Sequence, residues 1–217
     1  MMGGALRANS PEAILAAALF MLAAFVSILI HELGHAITGL RLGGGRAAIA
    51  LTPFGGLAFN QGCRFDRTQR FWMIAAGPGA GFAFFVLLVA VLCLLFDSSD
   101  VLGLVGGILF DIPFDFRSSE LLSLLREKPF VYLVLNHLLW INFWWGIINL
   151  LPVLPLDGGQ IADLFVRPQR RVFLLGVIAA GAMAVLGFLW LHSLYVAVLF
   201  GYLAWRNYQN MREVRWP

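Results

Sequence analysis

The chain has 217 residues, of which 60% are hydrophobic and only 12% are charged. Soluble domains carry about 25% charged residues, and the mean hydropathy here is +0.84, so the composition excludes an ordinary soluble protein. The net charge of +3 does not indicate a nucleic-acid partner, because the basic residues fall between apolar segments, where they orient a membrane protein. Two cysteines, Cys63 and Cys93, indicate neither a disulfide framework nor a thiolate metal site.

The apolar segments predict an all-α polytopic membrane protein with about five transmembrane helices. The segments run over about residues 12–40, 71–96, 130–151, 171–190 and 194–205. His192 and Ser193 mark the division between the last two, with one long helix and a tail as the alternative. A further stretch, 101–116, contains two adjacent glycines, an aspartate and a proline, which predicts a re-entrant or interfacial segment. We treat residues 1–217 as a single membrane-embedded domain, with a core over about 12–165 and C-terminal helices over about 171–210.

The connection between the first two spans, 46–59, is apolar yet rich in turn-forming residues. Pro53 and the pair Gly55 and Gly56 predict a short β-hairpin or re-entrant loop. Such backbone lies at membrane depth only where protein or a water-filled cavity covers it.

Arginines predict the orientation in the membrane. Most lie in connections on one side, including the clusters at 64–70 and 167–171, and few basic residues lie on the other side. The positive-inside rule makes the arginine-rich side cytoplasmic. The first span therefore enters from outside, and its C-terminal part lies toward the cytoplasm.

That C-terminal part carries the motif H-E-x-x-H, with His31, Glu32 and His35. Positions i and i+4 share one helical face, so the two histidines can hold one metal ion. Glu32 projects about 100° further round the helix, near the metal but not required as a ligand. Ionisable side chains inside a membrane are costly, which makes this group a functional site by default.

A hydrolytic zinc site usually has three protein ligands and one water, so a third ligand is expected elsewhere. The topology places His137 and His192 toward the outer side. Asp157 instead follows the third span, on the cytoplasmic side with His31 and His35.

Local sequence supports Asp157 as the third ligand. Pro152 and Pro155 end the preceding helix, and Gly158 and Gly159 permit a tight turn that folds the carboxylate back into the bundle. A plain turn with a solvated aspartate is the alternative.

These motifs resemble those of the site-2 protease family of intramembrane zinc metallopeptidases. The resemblance rests on the H-E-x-x-H motif within a span and on N-x-x-P-x-x-P-L-D-G-G over 149–159. Weaker support comes from Phe54-Gly55-Gly56 and from Ala76-Gly77-Pro78. The resemblance covers roughly residues 12–165. The chain resembles a minimal form of the family, without a PDZ or CBS domain.

The resemblance implies a role for each site residue. His31, His35 and Asp157 would bind one Zn²⁺ per chain, Glu32 would be the general base, and Asn149 would bind the substrate backbone or the oxyanion. The expected reaction is hydrolysis of peptide bonds within or near transmembrane segments, as in regulated intramembrane proteolysis.

Substrate contacts are expected from Phe54, Gly55 and Gly56, which could hold an unwound substrate segment by strand addition. Asn142 lies seven residues before Asn149 on the same helical face and could line the path. An interhelical hydrogen bond is the alternative role for Asn142.

The expected partners are the lipid bilayer, a single-span membrane protein as substrate, and regulatory membrane proteins. The expected location is a bacterial inner or plasma membrane. Two other functions stay open: a membrane protease related to the prenyl-protein proteases, with a downstream Glu as third ligand, and a non-catalytic zinc-binding protein or adaptor. A non-catalytic zinc site needs ligands but no general base, so a general base at Glu32 favours an enzyme over a zinc-binding protein or adaptor.

Overall fold

The computed structural model describes residues 11–52, 55–113 and 120–214, which are mostly helical. The elements in chain order are α1 Pro11–Gly43, β1 Arg46–Thr52, β2 Gly55–Gln61, α2 Arg67–Leu95, α3 Ser98–Phe110, α4 Glu120–Glu127, α5 Pro129–Asn149, α6 Asp157–Phe165, α7 Gln169–Leu189 and α8 Leu194–Glu213.

Four of the described helices, α1, α2, α5 and α7, are long and apolar enough to cross a membrane. They coincide with the first four predicted spans. The fifth predicted segment is the apolar first half of α8, whose second half is polar, and α8 is not among these four. His192 and Ser193 separate α7 from α8, and His192 adopts a left-handed conformation (φ 47°).

The helices place small and polar residues inside and large apolar residues outside. On α1 the buried residues recur mainly every four positions, so they form one stripe along the helix. This stripe consists of Ala23, Ser27, His31, Glu32, His35, Ala36 and Gly39. Large apolar side chains face outward, for example Leu94 at 85% and Trp190 at 78% exposure. This pattern is the one expected of helices surrounded by lipid, where outer surfaces gain nothing from being polar.

The two strands form an antiparallel pair directly after α1. Their register joins Arg46 to Gln61 and Thr52 to Gly55. Gly44 and Gly45 have φ of 68° and 78° and turn the chain out of α1, a conformation that glycine adopts without strain. Pro53 and Phe54, where the turn of the predicted hairpin falls, lie outside the described residues.

The segment after α2 forms the 13-residue helix α3, which is not among the helices long enough to cross a membrane. Its re-entrant or interfacial placement stays a prediction. Gly106 and Gly107 lie inside α3, which ends at Asp111 in the left-handed conformation (φ 53°). Asp97 caps the start of α3 by accepting hydrogen bonds from the Ser99 amide and hydroxyl, which hold the pKa of its carboxyl below the ordinary value. The cap and the burial of Val101 and Leu104 together offset the two glycines, each of which costs a helix about 1 kcal/mol relative to alanine.

A buried polar contact joins α1 to α5. The Asn142 side-chain amide donates to Ser27 Oγ at 2.8 Å and to the Leu138 carbonyl at 2.8 Å, while Ser27 Oγ donates to the Ala23 carbonyl. The interhelical hydrogen bond, the alternative role for Asn142, is therefore confirmed. It lies one turn of α1 before His31 and fixes α5 beside the histidine-bearing face.

Helices α1 and α2 approach each other closely at Gly34. A Cβ atom at this position would overlap the Ala76 carbonyl oxygen and lie 2.9 Å from the Ala80 Cβ. The backbones of the two helices therefore meet inside the H-E-x-x-H motif, and only glycine permits the contact.

We predict that Gly34→Ala lowers the free energy of unfolding by about 1–3 kcal/mol, because the methyl group must push α2 away. Gly79→Ala is the matched control, since a Cβ there meets nothing within 4 Å and alanine favours the helix. Thermal unfolding of both purified variants in the same detergent measures the difference. Equal transition temperatures would contradict the close approach.

Candidate metal centre

The two histidines and the glutamate of the motif face the bundle interior from the C-terminal half of α1. His31 and Glu32 are each 6% exposed and His35 is 9% exposed. Asp157, at the first position of α6, is 6% exposed. The N-terminus of α6 favours a carboxylate there, since helix dipoles are positive at that end.

The structure brings together one atom from each of three residues. His31 Nε2 lies 3.1 Å from His35 Nε2 and 3.1 Å from Asp157 Oδ2, and His35 Nε2 lies 3.4 Å from Asp157 Oδ1. Zinc bonds of about 2.0–2.2 Å to nitrogen and oxygen in a tetrahedral site separate neighbouring ligand atoms by about 3.3–3.5 Å. The observed spacing is close to this value, so the three side chains fit a single zinc ion.

Hydrogen bonding of the same atoms also favours a cation. Asp157 Oδ2 is buried and accepts no hydrogen bond from the described residues. His35 Nδ1 lies 2.9 Å from the Met73 carbonyl, which only accepts, so Nδ1 carries the proton and the Nε2 lone pair points at the cluster. A buried set of electron-pair donors facing one another is stabilised by a shared metal ion.

Helix α2 orients the His35 ring from behind. The Met73 carbonyl holds the ring through Nδ1, an arrangement typical of metal-ligating histidines. The ring also lies directly against Gly77, where a Cβ would overlap it. Met73 and Gly77 thus fix the rotation of His35, and Gly77 precedes the buried Pro78 within α2.

The loop between α5 and α6 brings Asp157 to the histidines. Leu156 N donates to the Val153 carbonyl at 2.8 Å and closes a turn immediately before α6. The sequence predicted a turn at Gly158 and Gly159, but both lie in the first turn of α6. They are needed for close contact instead: a Cβ at Gly158 would overlap the Leu150 carbonyl, and one at Gly159 would overlap the Val153 backbone.

Asn149 is buried at the C-terminal end of α5, where its side-chain amide donates to the Trp145 carbonyl at 3.0 Å. Asn142 lies two turns earlier and is held by Ser27. The two asparagines share the buried side of α5, as the seven-residue spacing predicted.

The remaining predicted site residues belong to the strand pair. Gly55 and Gly56 lie at the start of β2 and pair with Thr52 and Leu51. Phe54 lies outside the described part of the chain. The histidines set aside by topology are also apart from the cluster: His137 packs edge-on against Phe20, and His192 is exposed beyond α7.

The sequence analysis assigned no role in the site to three residues that contact it, Ser27, Met73 and Gly77. The Met73 contact uses a backbone carbonyl, which every residue possesses. Gly77 acts through the absence of a side chain. Ser27 had a usable signal, because it precedes His31 by one turn and therefore lies on the same face.

The fold and the site together define an integral multi-pass membrane protein with a buried H-E-x-x-H centre completed by a distant aspartate. Residues 19–192 match the model of Peptidase family M50. The chain therefore belongs to this family, the site-2 protease family.

Comparison with known proteins agrees with this membership. A Synechocystis protein described as a "Putative zinc metalloprotease" is 27% identical over 197 residues, which cover 84% of this chain and 44% of the Synechocystis protein. The chain thus spans less than half the length of this curated relative. The site-2 protease from Methanocaldococcus jannaschii shares the fold, with a TM-score of 0.55, 21% identity, and coverage of 100% of this chain and 86% of that structure.

We predict about one zinc ion per purified wild-type chain, and a loss of zinc in His35→Ala and in Asp157→Ala, because each removes one of three ligands. His192→Asn is the control, since it removes an exposed histidine at a left-handed position that asparagine tolerates. Elemental analysis after dialysis against zinc gives the stoichiometry. Zinc retained in both ligand variants would contradict the assignment.

Proposed function

We propose that the protein is an intramembrane zinc endopeptidase that hydrolyses peptide bonds within or near transmembrane segments of membrane proteins. The observation that carries the proposal is the convergence of His31, His35 and Asp157 next to a buried Glu32, inside a bundle of apolar helices. Membership of Peptidase family M50 supports the same reaction class.

The three ligands are all needed to present a reactive water. Two imidazoles and one carboxylate would hold Zn²⁺ and leave a fourth position open. Zinc bound there would lower the pKa of a coordinated water to about 7. Met73 and Gly77 keep His35 in the required orientation, so the ligand set is arranged before any substrate arrives.

Glu32 is the proton carrier in this proposal. It follows His31 directly, so its carboxylate lies on the same helix as two ligands but points to a different side. It would accept a proton from the attacking water and later donate it to the leaving amine.

Substrate binding requires an extended segment, since the carbonyl groups of a transmembrane helix are already hydrogen bonded. The pair of β1 and β2 offers strand edges to which an unwound segment can add. Gly55 and Gly56 begin β2, and Phe54 precedes them in the sequence. One N–H of the Asn149 side chain is engaged with Trp145. The other would donate to the substrate backbone or to the oxyanion.

The arginine distribution supports a topology with five spans, α8 included, and with the metal centre toward the cytoplasm of a bacterial inner or plasma membrane. In this arrangement the substrates are single-span proteins that reach the site from the bilayer. The strand pair would lie at the same depth as the H-E-x-x-H motif, covered by α1.

We predict that Glu32→Gln keeps its zinc but cleaves a membrane-protein substrate at least about 100-fold more slowly, because the general base is lost while the ligands remain. Glu12→Gln, an exposed position on the same helix, is the control and should match wild type. Single-turnover cleavage in proteoliposomes measures the rates. Equal rates for Glu32→Gln and wild type would overturn the peptidase mechanism and favour a non-catalytic zinc-binding protein.

A photo-reactive amino acid tests the strand-addition part of the proposal. Placed at Gly55 in the Glu32→Gln background, it should cross-link to a bound substrate, because the stalled enzyme keeps the extended segment beside β2. The same group at Val86, which is 60% exposed on the lipid-facing side of α2, is the control. Cross-linking from Val86 but not from position 55 would exclude the strand pair as the binding edge.

A further inference from the structure

We propose that Asn207 of α8 is a positioning residue for the metal centre, acting through the loop that carries Asp157. This inference rests on the proposed metal site and adds the C-terminal helix to it. Asn207 is fully buried (0% exposed). Its side-chain amide donates to the Leu154 carbonyl at 2.7 Å, three residues before Asp157, and to the Leu203 carbonyl of its own helix at 2.9 Å.

The orientation of the Asn207 amide follows from its neighbours. Nδ2 lies between two carbonyl oxygens, and a flipped side chain would place Oδ1 against both acceptors. Nδ2 is therefore the donor. Oδ1 is buried and has no hydrogen-bond partner among the described residues, which costs folding free energy. An apolar residue would avoid that cost. The hydrogen bond that Asn207 Nδ2 donates to the Leu154 carbonyl therefore accounts for an asparagine at this position.

The loop between α5 and α6 needs donors from outside because it supplies few of its own. Pro152 and Pro155 have no N–H. The N–H groups of Val153 and Leu156 already bond within the loop. Carbonyl groups at Leu154 and Pro155 are instead bonded by side chains beyond the loop, from Asn207 and from Gln160 Nε2 at 3.1 Å respectively.

Packing joins the same loop to the same helices. Val153 is fully buried and forms a cluster with Ala180 of α7 and Phe200 of α8. The loop is thus held against the C-terminal helix pair by an apolar contact at Val153 and by a directional hydrogen bond at the next residue. The apolar contact sets the distance, and the hydrogen bond sets the orientation of the peptide that leads to Asp157.

A glycine on α7 keeps Asn207 in place. At Gly176 a Cβ would overlap Asn207 Oδ1 and lie 2.7 Å from its Cγ. Gly176→Ala would therefore displace the asparagine while leaving its chemistry intact. Gly181 lies further along α7, and a Cβ there meets nothing within 4 Å, so Gly181→Ala is a matched control.

The test measures Zn²⁺ affinity of the full chain in detergent by competition with a chromophoric chelator, beside the unfolding temperature of the zinc-free protein. Partners that orient metal ligands typically contribute 10–100-fold to metal affinity. We expect Asn207→Ala and Gly176→Ala each to weaken zinc binding by roughly tenfold. Gly181→Ala and Asn210→Ala, one turn further along α8, should bind zinc as wild type does.

Co²⁺ absorption gives a second readout, because the intensity of its visible bands reports the geometry of the ligand set. We expect a changed spectrum in both test variants and an unchanged one in both controls. Wild-type zinc affinity and a wild-type cobalt spectrum in Asn207→Ala would overturn the inference, even if the unfolding temperature falls. Failure of both test variants to fold without zinc would also overturn it, since Asn207 would then be a structural residue. Absence of zinc binding in the wild type would instead overturn the metal site itself.

Discussion

Burial of two imidazoles and two carboxylates among apolar helices is the constraint on which the rest of the structure depends. Groups of this kind cost several kcal/mol each when they are unpaired in a low-dielectric interior. The fold places the small and polar residues of α1 at the centre of the helix bundle, with α2 and α5 packed against α1. His31, His35 and Asp157 then lie within 3.1–3.4 Å of one another, where one cation satisfies all three.

Close backbone contact is the means by which the bundle achieves this geometry. Gly34 brings α1 against α2, and Gly77 leaves room for the His35 ring. Gly158 brings α6 against the end of α5, and Gly159 brings it against the loop at Val153. In a membrane, small residues at helix interfaces replace the hydrophobic effect as the basis of association. The glycines of the two motifs therefore belong to the metal centre as much as its ligands do, although none of them contributes a ligand atom.

The sequence predicted the parts of the site that follow from helical periodicity and membrane depth. His31 and His35 share a face because they are four residues apart, and Asp157 was selected because its depth matched theirs. Periodicity could not find the Met73 carbonyl or the Asn207 contact, since both depend on which backbone groups of distant elements meet. It also assigned a turn to Gly158 and Gly159, which are helical and serve close packing.

The length of α1 has a consequence for the fate of a cleaved chain. Its 33 residues extend about 50 Å, against about 30 Å for the hydrocarbon layer, and His35 lies about 36 Å beyond Pro11 along the helix. The two histidines therefore lie beyond the midpoint of α1, in its C-terminal half. Under the proposed function, a substrate cut away from the middle of the bilayer would be divided unequally: the longer apolar piece would stay anchored in lipid, whereas the shorter piece would leave the membrane.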